Sequence, residues 1–301
     1  RTIPKLQRVE SAVADETRTD DVTGYETTGH EWDGIEELNR PLPKWWLYVF
    51  YASIAWSVGY YFFYPAIPLV NDYTRGLLGY SQRADVAEQI AAAKDAQSQW
   101  VDRIATADLE TIAGDSELLR FAMAGGKAAF GDNCAACHGS GAQGFKGYPN
   151  LNDDAWLWGG SLEAIHTTLL YGIRSDHDDT RQNDMLAFGK DGILERGQVN
   201  DVTEYVLAIS GQEHNADAAA RGETVFGEYC VACHGEGGVG NQELGAPNLT
   251  DAIWLYGGDR QTVQNTIYAG RGGVMPAWSG RLDPVTIKQL AVYVHSLGGG
   301  E

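Results

Sequence analysis

A repeated motif in the second half of the chain constrains the fold more than any other feature. Residues 126–139 (GKAAFGDNCAACHG) are matched by residues 222–235 (GETVFGEYCVACHG), so each copy carries Cys-x-x-Cys-His. Further matches join residues 149–151 to 247–249 and residues 156–160 to 254–258. A self-similar block of this length indicates one domain present twice.

Helical spacing of apolar residues fills the repeated blocks. Residues 162–171 and 199–209 place apolar side chains at i, i+3 and i+4, and no alternating strand pattern appears in either block. The repeated region is therefore predicted to be helical, with Gly-rich loops.

The repeated pentapeptides predict a covalently bound cofactor. All four cysteines of the chain, Cys134, Cys137, Cys230 and Cys233, lie in these motifs. Cys-x-x-Cys-His is the attachment signature of c-type haem, in which two thiols bond the porphyrin and the histidine ligates the iron. His138 and His234 are thus candidate iron ligands. A zinc ribbon needs its two Cys pairs about 15–20 residues apart, and Cys137 is much further from Cys230.

Each iron needs a sixth ligand if it is to carry electrons without binding a substrate. Met185 and Met275 lie at similar places in the two copies, each in a loop and followed by Ala and an aromatic residue. A loop methionine is ordinarily an apolar filler, but the repeated context predicts axial ligation. His177 is the competitor of Met185 for the first iron.

Two arginines are candidate partners of the haem propionates. Arg174 and Arg271 follow closely on the matched glycines Gly172 and Gly270. Arginine favours two-pronged contact with a carboxylate. A solvated surface position is the alternative for both side chains.

An apolar segment precedes the repeats. Residues 45–64 contain no charged side chain and are rich in aromatic residues at both ends. Such a stretch is long enough for a ~30 Å hydrocarbon layer, and aromatic belts are typical of its interfaces. We expect a single transmembrane helix at 44–67. Arg40 and Lys44 on its N-terminal side indicate that the tail is cytoplasmic and that the C-terminal part faces the periplasm.

The net charge of −19 argues against a nucleic-acid partner. It either favours a cationic protein partner or only keeps the chain soluble.

The sequence therefore predicts an all-α chain, with one N-terminal transmembrane helix followed by two tandem cytochrome c domains. The expected organisation is a polar, largely extended tail (1–43), the membrane helix (44–67) and a helical linker (68–120) with a helix at 84–106. The first cytochrome c domain (121–212) and the second (213–301) follow.

A family resemblance is carried by the segment before the span. Residues 29–37 (GHEWDGIEE), then Pro-x-Pro-x-Trp-Trp at 41–46, then two Cys-x-x-Cys-His motifs resemble the FixP/CcoP family, the di-haem subunits of bacterial cbb-type cytochrome c oxidase. The resemblance implies two covalently bound haem c groups. It implies that His138 is paired with Met185, and His234 with Met275.

The resemblance also implies the role and the partners. Electrons would come from a soluble or membrane cytochrome c or a quinol-oxidising complex. They would pass towards a mono-haem cytochrome subunit and the catalytic haem–copper subunit, with the chain anchored once in the bacterial inner membrane and its haem domains in the periplasm. The chain would not be catalytic alone.

Three other functions remain open from the sequence. A di-haem subunit of a periplasmic dehydrogenase would use the same haem chemistry with a different partner. A di-haem peroxidase or a gas sensor would need an iron with an open position, against which the two loop methionines argue.

Overall fold

The computed structural model describes residues 17–299. Within this range the chain divides into two compact units, with the boundary between residues 92 and 93.

The first unit begins with a β-hairpin. β1 (Thr27–Trp32) pairs antiparallel with β2 (Ile35–Leu38). Asp33 and Gly34 join them with positive φ values of 48° and 83°. A two-residue turn with both φ angles positive matches the twist of paired strands, and Asp-Gly favours it. The described part of the tail thus contains a hairpin where an extended segment was expected, and these strands are an exception to the all-α prediction. Residues 1–16 of the expected tail lie outside the described residues.

A long apolar helix follows the hairpin. α1 (Lys44–Phe63) begins after Pro43, and its side chains are exposed along most of its length. Its last turn is completed by Tyr64 N, which donates to Tyr60 O at 2.8 Å. Among the residues that the structure describes, no helix combines the length and hydropathy needed to cross a membrane.

The helix expected at 84–106 is present as α2 (Gln82–Thr106). Lys288 Nζ donates to the carbonyl oxygens of Ile104, Ala105 and Ala107 at 3.2, 3.0 and 2.7 Å. A cation at these free carbonyls stabilises a helix C-terminus.

The rest of the second unit is helical. Two helices precede the first Cys-x-x-Cys-His motif, α3 (Leu109–Gly114) and α4 (Ser116–Asn133). The remaining helices are α5 (Ala135–His138), α6 (Leu162–Tyr171), α7 (Arg196–Ile209), α8 (Ala216–Tyr229), α9 (Val231–His234), α10 (Arg260–Ala269) and α11 (Pro284–His295).

Two hydrophobic cores form in this unit, and neither is built from one sequence repeat alone. In the first core, α4 and α6 pack against α11, the last helix of the second repeat. Phe130, Leu169 and Leu290 are buried there together. In the second core, α8 and α10 pack against α7, which belongs to the first repeat, and Val202, Phe226 and Ile267 are buried together.

The short connection between α7 and α8 explains this exchange of helices. Only residues 210–215 join them, and a connection of this length makes consecutive helices neighbours. Glu204 of α7, which is 4% exposed, accepts a hydrogen bond from Asn215 N at 2.7 Å and is paired with Arg260 of α10. α7 is therefore fixed on the second repeat, and α11 occupies the corresponding place on α4.

Candidate functional site

Each Cys-x-x-Cys-His motif forms one helical turn at the end of a longer helix. Cys134 ends α4, and His138 N donates to Cys134 O at 2.9 Å. Cys230 ends α8 in the same way, and His234 N donates to Cys230 O at 2.9 Å. In each motif this turn brings the first cysteine and the histidine to line the same cavity.

A glycine with positive φ ends each of these turns. Gly139 has a φ of 81° and Gly235 a φ of 73°, a region that favours residues without a Cβ atom. The chain then folds back, and Gly144 N and Gly240 N donate to the carbonyl oxygens of His138 and His234 at 2.8 and 2.7 Å.

The two imidazoles are oriented by backbone carbonyl groups. His138 Nδ1 lies 3.1 Å from Pro149 O, and His234 Nδ1 lies 3.0 Å from Pro247 O. Burial lowers the pKa of both histidines, while these hydrogen bonds act in the opposite direction. A neutral imidazole that donates from Nδ1 keeps the Nε2 lone pair free for a metal.

The first thiol of each pair lies at a crevice with a mostly apolar lining. Burial raises the pKa of Cys134 and of Cys230 to about 11, with the neighbouring cysteine of each pair adding to the rise. Such thiols resist ionisation, whereas a structural zinc site requires thiolates. The environment therefore suits an uncharged thioether bond to a porphyrin better than zinc.

An apolar crevice lies beside each motif. The crevice at His138 is lined by Phe130, Leu169, Met275 and Val294 among others. The crevice at His234 has a lining that includes Met185, Val206, Phe226 and Ile267. Both linings are mostly apolar and fit the apolar body of a haem.

The structure brings each histidine next to the other methionine from the one that the family resemblance implies. Met275 shares the first crevice with His138, and Met185 shares the second with His234. The physical reason is the exchange of α7 and α11 between the cores, because each methionine precedes an exchanged helix.

Paired backbone segments hold this crossed arrangement. Ile173 and Met275 exchange two N–H···O bonds of 2.9 Å, and Met185 and Arg271 exchange two of 3.0 and 3.1 Å. Gly172 permits the first crossing, since a Cβ atom there would lie 2.4 Å from Met275 O. Gly270 permits the second, where a Cβ atom would lie 2.4 Å from Met185 O.

His177 lines neither crevice. Its Nδ1 accepts a hydrogen bond from Asp179 N at 3.1 Å, and its ring contacts that of Tyr171.

The two arginines chosen from the sequence both line the outer part of the second crevice, but they have different partners. Arg271 lies over the ring of Tyr256 at 4.5 Å, and its Nε donates to Thr266 Oγ1 at 3.0 Å. Arg174 lies in the outer part of the second crevice, where its guanidinium donates to the carbonyl oxygens of Asn183 and Gly273. The propionate roles of both remain predictions.

The sequence reasoning missed Arg181. Its guanidinium lies 5.3 Å from the centre of the Trp158 ring, a wall of the first crevice. A signal for it was present, because Arg181 stands four residues before Met185, as Arg271 stands four residues before Met275. Matching the repeats through Gly172 and Gly270 selected Arg174 instead.

Protein-family models match both repeats and the N-terminal segment of the chain. Residues 24–71 match the model of the N-terminal domain of cytochrome oxidase-cbb3, FixP. Residues 123–210 match the cytochrome c model, and residues 217–294 match that of cytochrome c oxidase, cbb3-type, subunit III.

Relatives that align over nearly the whole chain are all described as subunits of cbb3-type cytochrome c oxidase. The chain is 57% identical over 96% of its length to the complete cbb3-type cytochrome c oxidase subunit FixP of Bradyrhizobium sp. (strain ORS 278). It is 55% identical over 96% of its length to the complete FixP subunit of Bradyrhizobium diazoefficiens. With the CcoP subunit of Azospirillum brasilense it shares 55% identity over 94% of this chain and 98% of that protein. The chain therefore belongs to the FixP/CcoP family of cbb3-type cytochrome c oxidase subunits.

Proposed function

We propose that this chain carries electrons through two covalently bound haem c groups to the oxygen-reducing subunit of a cbb3-type oxidase. The observation that carries this proposal is the repeated site, in which the first cysteine of a motif, an oriented histidine and a methionine meet at an apolar crevice. Haem iron supplies the reversible one-electron step. The contribution of the chain is to hold, orient and shield the iron.

The proposed attachment and ligation follow the crossed geometry. Cys134 and Cys137 hold the first haem, with His138 and Met275 as its axial ligands. Cys230 and Cys233 hold the second, with His234 and Met185. A thioether ligand raises the reduction potential of haem iron, and the apolar walls limit the access of water.

A second candidate ligand beside each histidine favours electron transfer over catalysis. A peroxidase or a gas sensor needs an open iron, and each crevice already contains a methionine in addition to its histidine. The dehydrogenase-subunit alternative lacks support from the relatives, which are oxidase subunits, and from the N-terminal match to FixP.

The proposed partners are the catalytic haem–copper subunit and the mono-haem cytochrome subunit, with a cytochrome c as donor. The support is the described role of the relatives as subunits of a cytochrome c oxidase. The net charge of −19 suits a cationic donor, because opposite charges steer diffusional encounter.

The proposed location is the bacterial inner membrane, with one span and both haem domains in the periplasm. The support is the FixP match over residues 24–71, which includes α1, and the exposed aromatic side chains of that helix. A charge-free aromatic surface is costly in water and suits a membrane interface.

Purification from membranes tests the function. We expect the polypeptide mass to include two haem groups and the reduced protein to show the narrow absorption bands of low-spin c-type haem. We also expect the other oxidase subunits to accompany the chain. A mass equal to that of the bare polypeptide would refute the proposal.

A single-haem variant tests the crossed ligation. Cys134→Ala with Cys137→Ala leaves only the second haem, and Met185→His in that background is expected to lower its potential because imidazole favours ferric iron more than a thioether does. Met275→His is the matched control and should leave the potential of this haem unchanged. The opposite result would restore the pairing within each repeat.

A further inference from the structure

Arg181 carries a buried hydrogen-bond donor that nothing in the described structure satisfies. Its Nε atom is buried and has no hydrogen-bond partner among residues 17–299. Its Nη2 donates to Ala164 O at 3.2 Å, and no carboxylate forms an ion pair with it in the described part of the chain. A buried N–H is costly without an acceptor.

The position of Arg181 points to the acceptor. Its guanidinium faces Trp158, as that of Arg271 faces Tyr256, and these two aromatic residues are matched positions of the repeat that line the first and second crevices. Arg271 Nε is satisfied by Thr266 Oγ1. Thr168, the match of Thr266, donates its hydroxyl to Ala164 O at 2.9 Å instead. The first site therefore keeps a cationic donor free.

The same segments also supply the methionines. Arg181 lies at the first crevice, but Met185, four residues later, lies in the second. Arg271 lies at the second crevice, but Met275 lies in the first. Each Arg-x-x-x-Met segment thus reaches both sites.

We propose that Arg181 binds a propionate of the haem held by Cys134 and Cys137, and that Arg271 does so for the haem held by Cys230 and Cys233. Each Arg-x-x-x-Met segment then connects the propionate of one haem to the iron of the other. This inference rests on the proposed function, which places a haem in each crevice. The guanidinium supplies the donor geometry that a carboxylate accepts.

Arg181→Gln tests the inference in the two-haem protein. The variant removes a positive charge that offsets a propionate, so the ferric state of one haem is favoured. In a redox titration, we expect the equilibrium constant for reduction of one of the two haems to fall roughly tenfold. This corresponds to a potential lower by about 59 mV for a one-electron couple. Arg120→Gln, which removes an exposed charge from α4, is the matched control and should shift neither transition appreciably.

The single-haem variant assigns the effect to a site. With only the second haem present, Arg181→Gln should leave the potential unchanged and Arg271→Gln should lower it. The inference is overturned if Arg181→Gln lowers the potential of this remaining haem, or if it has no effect in the two-haem protein.

A vibrational measurement on the two-haem protein tests the inference even if the single-haem variant does not assemble. Resonance Raman spectra of the two-haem Arg181→Gln protein should show shifted bending modes for one propionate group, and Arg181→Lys should move them less because it keeps the charge. Unchanged modes in a protein with both haems bound would overturn the inference about Arg181. Absence of haem from the wild-type protein would instead refute the proposed function.

Discussion

The exchange of helices predicts that one buried valine in each repeat stabilises the opposite site. Val294 of α11 is 5% exposed and lines the crevice of His138, whereas Val206 of α7 is 4% exposed and lines the crevice of His234. Val294→Ala should therefore lower the free energy of opening of α4 and α6. Val206→Ala should lower that of α8 and α10.

The magnitude follows from the atoms removed. Each substitution deletes two buried carbon atoms at about 0.8 kcal/mol each, and incomplete collapse of the space adds a smaller cost. The free energy of opening should fall by about 2 kcal/mol, which is roughly a 30-fold faster amide exchange wherever exchange follows the opening equilibrium.

Hydrogen exchange read by mass spectrometry on peptides provides the assay. Peptides from α4 and α6 should lose protection in Val294→Ala, while those from α8 and α10 keep it. Val206→Ala is the matched control with the reverse pattern. If Val294→Ala instead deprotected α8 and α10, each repeat would close its own core and the crossed ligation would be refuted.

Two further predictions concern the crossing and the fixation of α7. Gly172→Ala places a Cβ atom 2.4 Å from Met275 O at a φ of 71°, so it should displace Met275 and reduce the low-spin absorption of one haem. The control is Gly192→Ala, which has the same φ but no atom within 4 Å of the added Cβ atom. In a thermal unfolding scan this control should lower the free energy of unfolding by only about 1 kcal/mol. An equal effect of both substitutions would contradict the close crossing. For Glu204, burial raises the pKa, but hydrogen bonds from Arg260 and from Asn215 N outweigh it, and the pKa lies below its ordinary value of 4.5. Its stabilisation of α7 is thus present above that value and lost as the pH falls through the lowered pKa. Exchange of the α7 amides, measured relative to the intrinsic rate at each pH, should therefore rise in acid. This acid-dependent rise should be smaller in Glu204→Gln.

The covalent chemistry was determined by local sequence. Cys-x-x-Cys-His forms its turn from neighbouring residues alone, so the candidate ligands His138 and His234 could be identified without a structure. Helix α2 was predictable from its run of strong helix formers. The Asp33-Gly34 turn was also encoded locally, but the hairpin it forms was not recognised. The single membrane span stays a prediction.

The pairing of the sites was decided by tertiary structure. Met185 and Met275 stand in similar surroundings along the chain, so local pattern assigns each to the nearer motif. The short connection at 210–215 instead fixes α7 beside α8, and α11 then completes the core of α4. Tertiary structure also identified Arg181 as a candidate site residue. Its buried, unpaired Nε results from its position beside Trp158 and Ala164, which only the folded chain brings together.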